Sequence, residues 1–378
     1  MKSRKKADSK FSLKPSSLAQ ETARSHRKLP AFLALAALAV AGIVAYTSSS
    51  TGRNEIALSR DEGKESPPKT LTELLALPPQ RLTNIDIARM NLLCAEGLPG
   101  ADNLVAQDCL ATLEQWAAHV KSETERHLYK FRANPGEFEN SEGYFRMLMM
   151  AVIMYEDFMV RYNPQKISVP GTSISGDHFF ADSRDILLHG LLGPGRTGTC
   201  SSMPVLYIAL GRRLGYPLKL VTTKAHLFIR WEDASGRFDL EATGKGMNKY
   251  DDAHFRSWPF PVSDQEIAEK GYLKSLTPVE ELSVFLSIRA ECLMENGRLA
   301  EVVTTFEAAY RLVPYWKGNQ VLLAAAREKL AAGWRPNIAS ARRPSVEAII
   351  RQTEMSRRLG PGVGPDPNPL LRMRPPGD

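Results

Sequence analysis

The 378-residue sequence predicts an α+β protein: a helix followed by three strands, with helical segments on either side. Three observations carry this. First, "CSSMPVLYIALGRRLGYP" (residues 200–217) places Met203, Leu206, Leu210 and Leu214 at three- and four-residue steps, one face of a helix that "GYP" ends. Second, "LKLVTT", "HLFIRW" and "RFDLEAT" follow in succession, rich in β-branched and aromatic residues. "EDASG" turns the chain between the last two, so the strands read as antiparallel. Third, apolar residues recur at helical spacing from Leu71 onward.

That third pattern predicts helices in "LTNIDIARMNLLCAEGL", "LATLEQWAAHVKSETERHLYKF" and "EGYFRMLMMAVIMYEDFMVRYN". The last is apolar on most sides and rich in Met. Its Arg146, Glu156, Asp157 and Arg161 argue for a buried core helix rather than a membrane span. Between Asn163 and Gly198 the chain reads as irregular, with many Gly, Ser, Pro and His.

The formal charge of +7 sits at the ends. Residues 1–28 hold nine Lys/Arg against Asp8 and Glu21, and from Arg335 onward eight Arg face four acids. Residues 29–334 therefore carry −4, which gives a nucleic-acid role no support. After the basic segment comes "LPAFLALAALAVAGIVAY", 18 residues without a charge, about the minimum for a hydrocarbon span of ~30 Å. Residues 29–47 are expected to be a retained transmembrane anchor. The positive flank puts the N-terminus in the cytoplasm and everything after Thr47 outside it. A cleaved secretory signal is the alternative; against it, the apolar stretch is long and no clean A-x-A site follows. A buried core helix is the third option, opposed by the charge block before it and the polar linker at 48–70.

The remaining organisation follows from composition. Residues 71–270 read as a helical extension plus the main domain, with a core at about 140–250, then helices at 275–332 and a tail at 333–378. The tail has eight Pro in 46 residues and is expected to be mostly disordered. No C-x-x-C spacing occurs among the four cysteines, so no zinc site is expected, and nothing calls for another metal or a cofactor. Cys94 and Cys109 have two readings. One is a disulfide, which would contribute ~3 kcal/mol in an oxidising compartment. The other is two separate buried thiols, and geometry decides between them.

The stretch "GPGRTGTCSSMP" (residues 193–204) poses the functional question. Gly193, Gly195 and Gly198 match G-x-G-x-x-G. A dinucleotide site needs a preceding strand, and "DSRDILLHGLLGP" reads as helical or irregular; the Lys of a Walker loop is absent too. The cysteine reading has more behind it. Cys200 lies just ahead of an apolar helix, whose N-terminus lowers a thiol's pKa and offers N–H groups to an oxyanion. Ser201 and Ser202 suit capping, and Pro204 suits a first helical turn. His226 opens the second strand. Glu241 lies near the end of the third, and Asp239 two residues before it on the same face. Thiol, imidazole and carboxylate then stand on a helix start and two adjacent strands, the parts of a thiolate–imidazolium pair with an orienting acid.

"GTCSSMPVLYIALGRRLGYP…AHLFIRW…FDLEAT" resembles the bacterial transglutaminase-like superfamily, a papain-type fold, over about residues 140–250. The resemblance implies that Cys200 is the nucleophile, His226 its base, and Glu241 the acid at an "Asp-Pro-Thr"-like strand end. Here that motif is "Glu-Ala-Thr"; the departure leaves Asp239 as a competing third member. "HFFADSRDILLHGLLGPGRTGTC" resembles a membrane-anchored subgroup. The segment from Pro278, with Ala290, Ala308, Ala309 and a terminal Pro, resembles a tetratricopeptide helix pair. It is too short to stand alone and must pack on the main domain or on a partner.

The expected activity is thiol-dependent acyl transfer on an amide of a peptide or protein, as a cysteine peptidase, amidase or transglutaminase. The alternative is a non-catalytic scaffold that binds a protein partner through the C-terminal helices. His178 and His189 flank the loop before Cys200 and either line the cleft, contribute to the oxyanion site, or sit in a polar loop as satisfied imidazoles. His254 borders the cleft without an assigned role, and Trp231 and Trp258 read as core.

Overall fold

The computed structural model describes residues 66–166, 178–234 and 236–336, all within one compact unit. The expected anchor at 29–47, the basic segment, most of the 48–70 linker and nearly all of the tail lie outside the described residues. Among the described residues no helix is long and apolar enough to cross a membrane. The fold is α+β.

Helices α1 (Leu71–Leu75), α2 (Pro79–Leu82) and α3 (Ile87–Leu93) come first. Thr70 and Asp86 cap α1 and α3 by accepting from the N–H groups of Glu73 and Ala88. Helix α4 (Ala106–Ala133) carries the apolar stripe Leu113, Trp116, Ala117 and Val120 into the core. Helix α5 (Glu142–Glu156), capped by Ser141, is buried on most of its surface, as its Met-rich sequence predicts. It stops earlier than the sequence pattern suggested. Met159 takes φ 58, which a right-handed helix cannot hold, and Arg161–Tyr162 become a short strand, β1.

The irregular region holds two short helices, α6 (Ser183–Ile186) and α7 (Leu188–Leu192), and strand β2 (Thr197–Gly198), which pairs in parallel with β1. Helix α8 (Met203–Arg213) follows, with Ser202 at the N-cap and Pro204 in its first turn. A four-stranded antiparallel sheet comes next, in sequential order: β3 (Leu218–Thr223), β4 (His226–Asp233), β5 (Gly236–Glu241) and β6 (Asn248–Tyr250). The fourth strand, three residues long, was not anticipated.

Strand β4 is covered on both sides, so it reads as a nearly continuous apolar run. Leu227, Ile229 and Trp231 face the main core shared with α8. Phe228 faces the other way, stacked on Phe255 with centroids 3.8 Å apart. Phe255 belongs to α9 (Asp252–Ser257), which is followed by α10 (Asp264–Lys270).

Three helices complete the chain: α11 (Pro278–Glu295), α12 (Leu299–Leu312) and α13 (Lys317–Ala331). Thr277 and Glu280 form a capping box on α11. Polar anchors fix α11 to the earlier helices. The Arg212 guanidinium at the end of α8 forks onto fully buried Glu281 at 3.0 and 2.5 Å. Arg289 donates to the carbonyls of Cys94 and Glu96, the otherwise unpaired end of α3. Cys94 follows α3, half-buried Cys109 lies in α4, and both are free thiols.

One glycine sets how closely α7 folds back. A Cβ on Gly190 would stand 1.8 Å from the carbonyl oxygen of Arg184. Gly190→Ala is therefore expected to lower Tm by several degrees, an overpacking cost of roughly 1–3 kcal/mol. Gly136→Ala meets nothing within 4 Å and should leave Tm unchanged. Thermal melts of the two variants check this.

Candidate active site

Cys200 is held by the turn before α8. The Met203 N–H donates to the Thr199 carbonyl at 2.9 Å, so the helical path begins one turn ahead of the regular helix. The hydroxyls of Thr199 and Ser202 both donate to the Asp185 carbonyl, at 3.0 and 3.3 Å. The Ser202 hydroxyl also accepts from the Thr199 N–H. Ser202 thus ties the turn together internally instead of capping forward into α8. Gly198 leaves room beneath the turn, since a Cβ there would stand 2.5 Å from the Ser202 oxygen and 2.8 Å from Leu191. The glycines of the G-x-G-x-x-G match therefore lead into a packed turn, without the strand-to-helix entry of a dinucleotide site.

The β1–β2 pairing brings in a residue that the sequence reading missed. Tyr162 stands opposite Gly198, and the Asn163 N–H donates to the Gly198 carbonyl at 2.8 Å. The Tyr162 hydroxyl donates to the Lys166 carbonyl at 3.2 Å and lies in hydrogen-bonding contact with the N–H and thiol of Cys200. Burial pushes the phenol pKa up, and charge on Cys200 and Glu241 pushes it further; the Cys200 N–H works the other way. "RYN" reads as the tail of the Met-rich helix, so only its strand pairing reveals Tyr162.

His226 opens β4 after a two-residue turn whose second residue, Ala225, has φ 60. A left-handed non-glycine backbone next to a functional side chain is the kind of local strain that surrounding structure must hold in place. The imidazole Nε2 lies 2.5 Å from Glu241 Oε2. With Nε2 on Glu241, Nδ1 is the ring nitrogen left for the Cys200 thiol, which lines the same cavity. The second Glu241 oxygen accepts from both the N–H and the hydroxyl of Thr243, so the carboxylate has no freedom to turn. Trp258, expected to be core, packs edge-on to the imidazole at 4.7 Å, and His254 stacks between Tyr250 and Trp258.

Burial alone would drive the His226 pKa down. The Glu241 charge and hydrogen bonds to Cys200 and Glu241 outweigh it, and the pKa rises. Burial would raise the Glu241 pKa, but the imidazolium and Thr243 hold it below 4.5. The signs fix the window of the pair. The imidazolium's contribution is complete below 6.5 and is lost as pH rises through its raised value. The carboxylate's contribution is present above 4.5 and is lost as pH falls through its lowered value. The ion pair therefore holds across neutral pH.

Asp239 does not join this group, contrary to its candidacy. It stands opposite Arg230 in the ladder and receives that guanidinium in a fork at 2.6 and 2.9 Å. Four residues of strand, about 13 Å, separate Arg230 from His226. Asp252 takes a further bond from Arg230 at 2.7 Å. Among the weaker candidates, the His189 ring faces the Ser183 hydroxyl at 3.2 Å in a second cavity, and burial lowers its pKa to about 4. The His178 carbonyl accepts from Lys166. Neither imidazole lines the cavity at Cys200. Among the described residues no cluster of His, Cys, Asp and Glu is arranged to hold a metal.

The two acids should separate cleanly by substitution. Asp239→Asn leaves a buried guanidinium with one carboxylate, Asp252, and the Leu273 carbonyl, at an expected cost of about 3 kcal/mol, and the folded protein keeps its Cys200 alkylation rate. Glu241→Gln costs less stability, because an imidazole can give up its proton, and slows Cys200 alkylation at neutral pH. Chemical denaturation paired with labelling kinetics distinguishes these outcomes. A scan of family models, a search of curated proteins and a search of solved structures each returned no match to this chain.

Proposed function

We propose that this protein is a cysteine-nucleophile acyl-transfer enzyme acting on amide bonds of peptides or proteins, with a papain/transglutaminase-like core. The observation that carries the reading is the meeting of three buried groups: His226 is bonded to Glu241 at 2.5 Å, and His226 and Cys200 line one cavity of about 590 Å³. A thiol at a helix start, an imidazole at a strand start and an acid on the neighbouring strand match the arrangement that the core of that fold requires.

In this mechanism His226 Nδ1 holds the Cys200 proton and the thiolate attacks the amide carbonyl carbon. The Cys200 N–H, now in contact with Tyr162, turns to the developing oxyanion, and the Tyr162 hydroxyl supplies a second donor by turning its proton away from the Lys166 carbonyl. The C–N bond then breaks, the imidazolium proton passes to the leaving amine, and an acyl-thioester remains. Water or an amine attacks that thioester, giving its proton back through His226 and releasing free thiol. Glu241 keeps the imidazolium oriented throughout. In the cell, the proposal places the enzyme outside the cytoplasm, tethered by residues 29–47.

The test is iodoacetamide labelling against pH, read at each cysteine by peptide mass spectrometry. Burial pushes the Cys94 and Cys292 thiols up to about 12, so they serve as unreactive internal controls. Cys200 is expected to label fast at pH 6, where an ordinary thiol of pKa ~8.5 is below about 1% ionised. His226→Ala should abolish that labelling, and Tyr162→Phe should leave it in place while reducing turnover of any amide substrate about 10²-fold. A Cys200 that labels no faster than an ordinary thiol in both wild type and His226→Ala overturns the enzyme reading in favour of a scaffold.

A further inference from the structure

The cavity at Cys200 has a second wall that the acyl-transfer chemistry leaves unused. The Cys200 turn and the β3–β4 hairpin form one side, and helices α11 and α13 form the other. Val284, Ile288 and Glu291 lie at i, i+4 and i+7 on α11, one face of that helix. Trp316 and Leu322 extend the apolar wall from the start of α13. The volume, about 590 Å³, is that of a small-ligand or side-chain pocket.

Charges in this wall are not balanced. Lys224 and Lys270 line the cavity, but both are paired with one oxygen of Glu266, at 3.0 and 3.1 Å. Glu295, one turn beyond Glu291, takes the Phe180 N–H at 3.1 Å. Glu291 has no hydrogen bond or ion pair among the described residues. Burial, and then the Glu295 charge, push its carboxyl up to about 6, with Lys329 offsetting part of this. A half-buried carboxyl without a partner, at the end of an apolar stripe, is a site that a cation would relieve. A lysine or arginine side chain has both parts, an aliphatic stem for Val284, Ile288 and Leu322 and a charged head for Glu291.

We propose that this cavity is the specificity pocket of the Cys200 site and that Glu291 selects a basic side chain on the acyl-donor peptide. This rests on the acyl-transfer reading above. The helices that follow the sheet would then shape substrate choice directly.

The experiment uses the full-length protein and dipeptidyl chloromethyl ketones carrying Lys, norleucine or Glu next to the electrophile. Alkylation of Cys200 is measured by mass and divided by the iodoacetamide rate of the same variant. The lysyl reagent is expected to react about 10-fold faster than the norleucyl one, the step that one modest ion pair supplies, with the glutamyl reagent slowest. Glu291→Gln should bring lysyl down to norleucyl, and Glu291→Lys should move the preference to glutamyl. A norleucyl rate equal to or above lysyl in wild type, or a lysyl preference that survives both substitutions, overturns the pocket assignment. If iodoacetamide itself finds no reactive Cys200, the enzyme reading fails and takes this assignment with it; if iodoacetamide reacts and the lysyl preference is absent, the pocket assignment alone fails.

Discussion

The pairing of β4 with β5 in a single register fixes the charges on one face of the sheet. Arg230 stands opposite Asp239, so the guanidinium takes that carboxylate, and Glu241 is left to reach diagonally to His226. A slip of β5 by one residue would turn Asp239 and Glu241 to the opposite face, among Leu227, Ile229 and Trp231, and away from Arg230 and His226. The apolar residues on that opposite face oppose such a slip. The core's demand for alternation thus holds the proposed catalytic imidazole and its acid in place.

Several charged groups are buried near this sheet, and each is matched. Arg230 has two carboxylates, His226 has Glu241, and Glu241 has the imidazole and Thr243. Removing one partner from such a set costs more than the intact set contributes, because the remaining charge stays desolvated. The same logic joins the C-terminal helices to the main domain. Arg212 with Glu281, and Arg289 with the carbonyls after α3, hold α11 where its apolar face forms the far wall of the cavity. The α11 helix is therefore both a brace for the fold and a wall of the cavity that Cys200 and His226 line.

Cys200 depends on a different kind of support. No strand carries it. A turn does, held by hydroxyls on the Asp185 carbonyl and by a two-residue strand pair that presents Tyr162. The imidazole, by contrast, is carried by β4. In the proposed mechanism this matters, since the Cys200 N–H must exchange Tyr162 for an oxyanion.

The sequence alone determined the α+β class, the helix after Cys200, three of the four strands of the sheet and the set of thiol, imidazole and acidic candidates. Each of these rests on local patterning: 3.6-residue periodicity in "MPVLYIALGRR", β-branched and aromatic runs in the strands, Gly-Tyr-Pro at a helix end. The tertiary structure alone decided four things. It gave Asp239 to Arg230 and Glu241 to His226, because Asp239 and Glu241 share a face and only register separates them. It broke the Met-rich helix before Tyr162, because a left-handed residue at Met159 and pairing with β2 overrode the apolar period. It kept Cys94 and Cys109 as separate thiols. It set Glu291 in the same cavity as Cys200, 91 positions away in the chain, because α11 is pinned by an ion pair and carbonyl contacts that leave no periodic trace in the sequence.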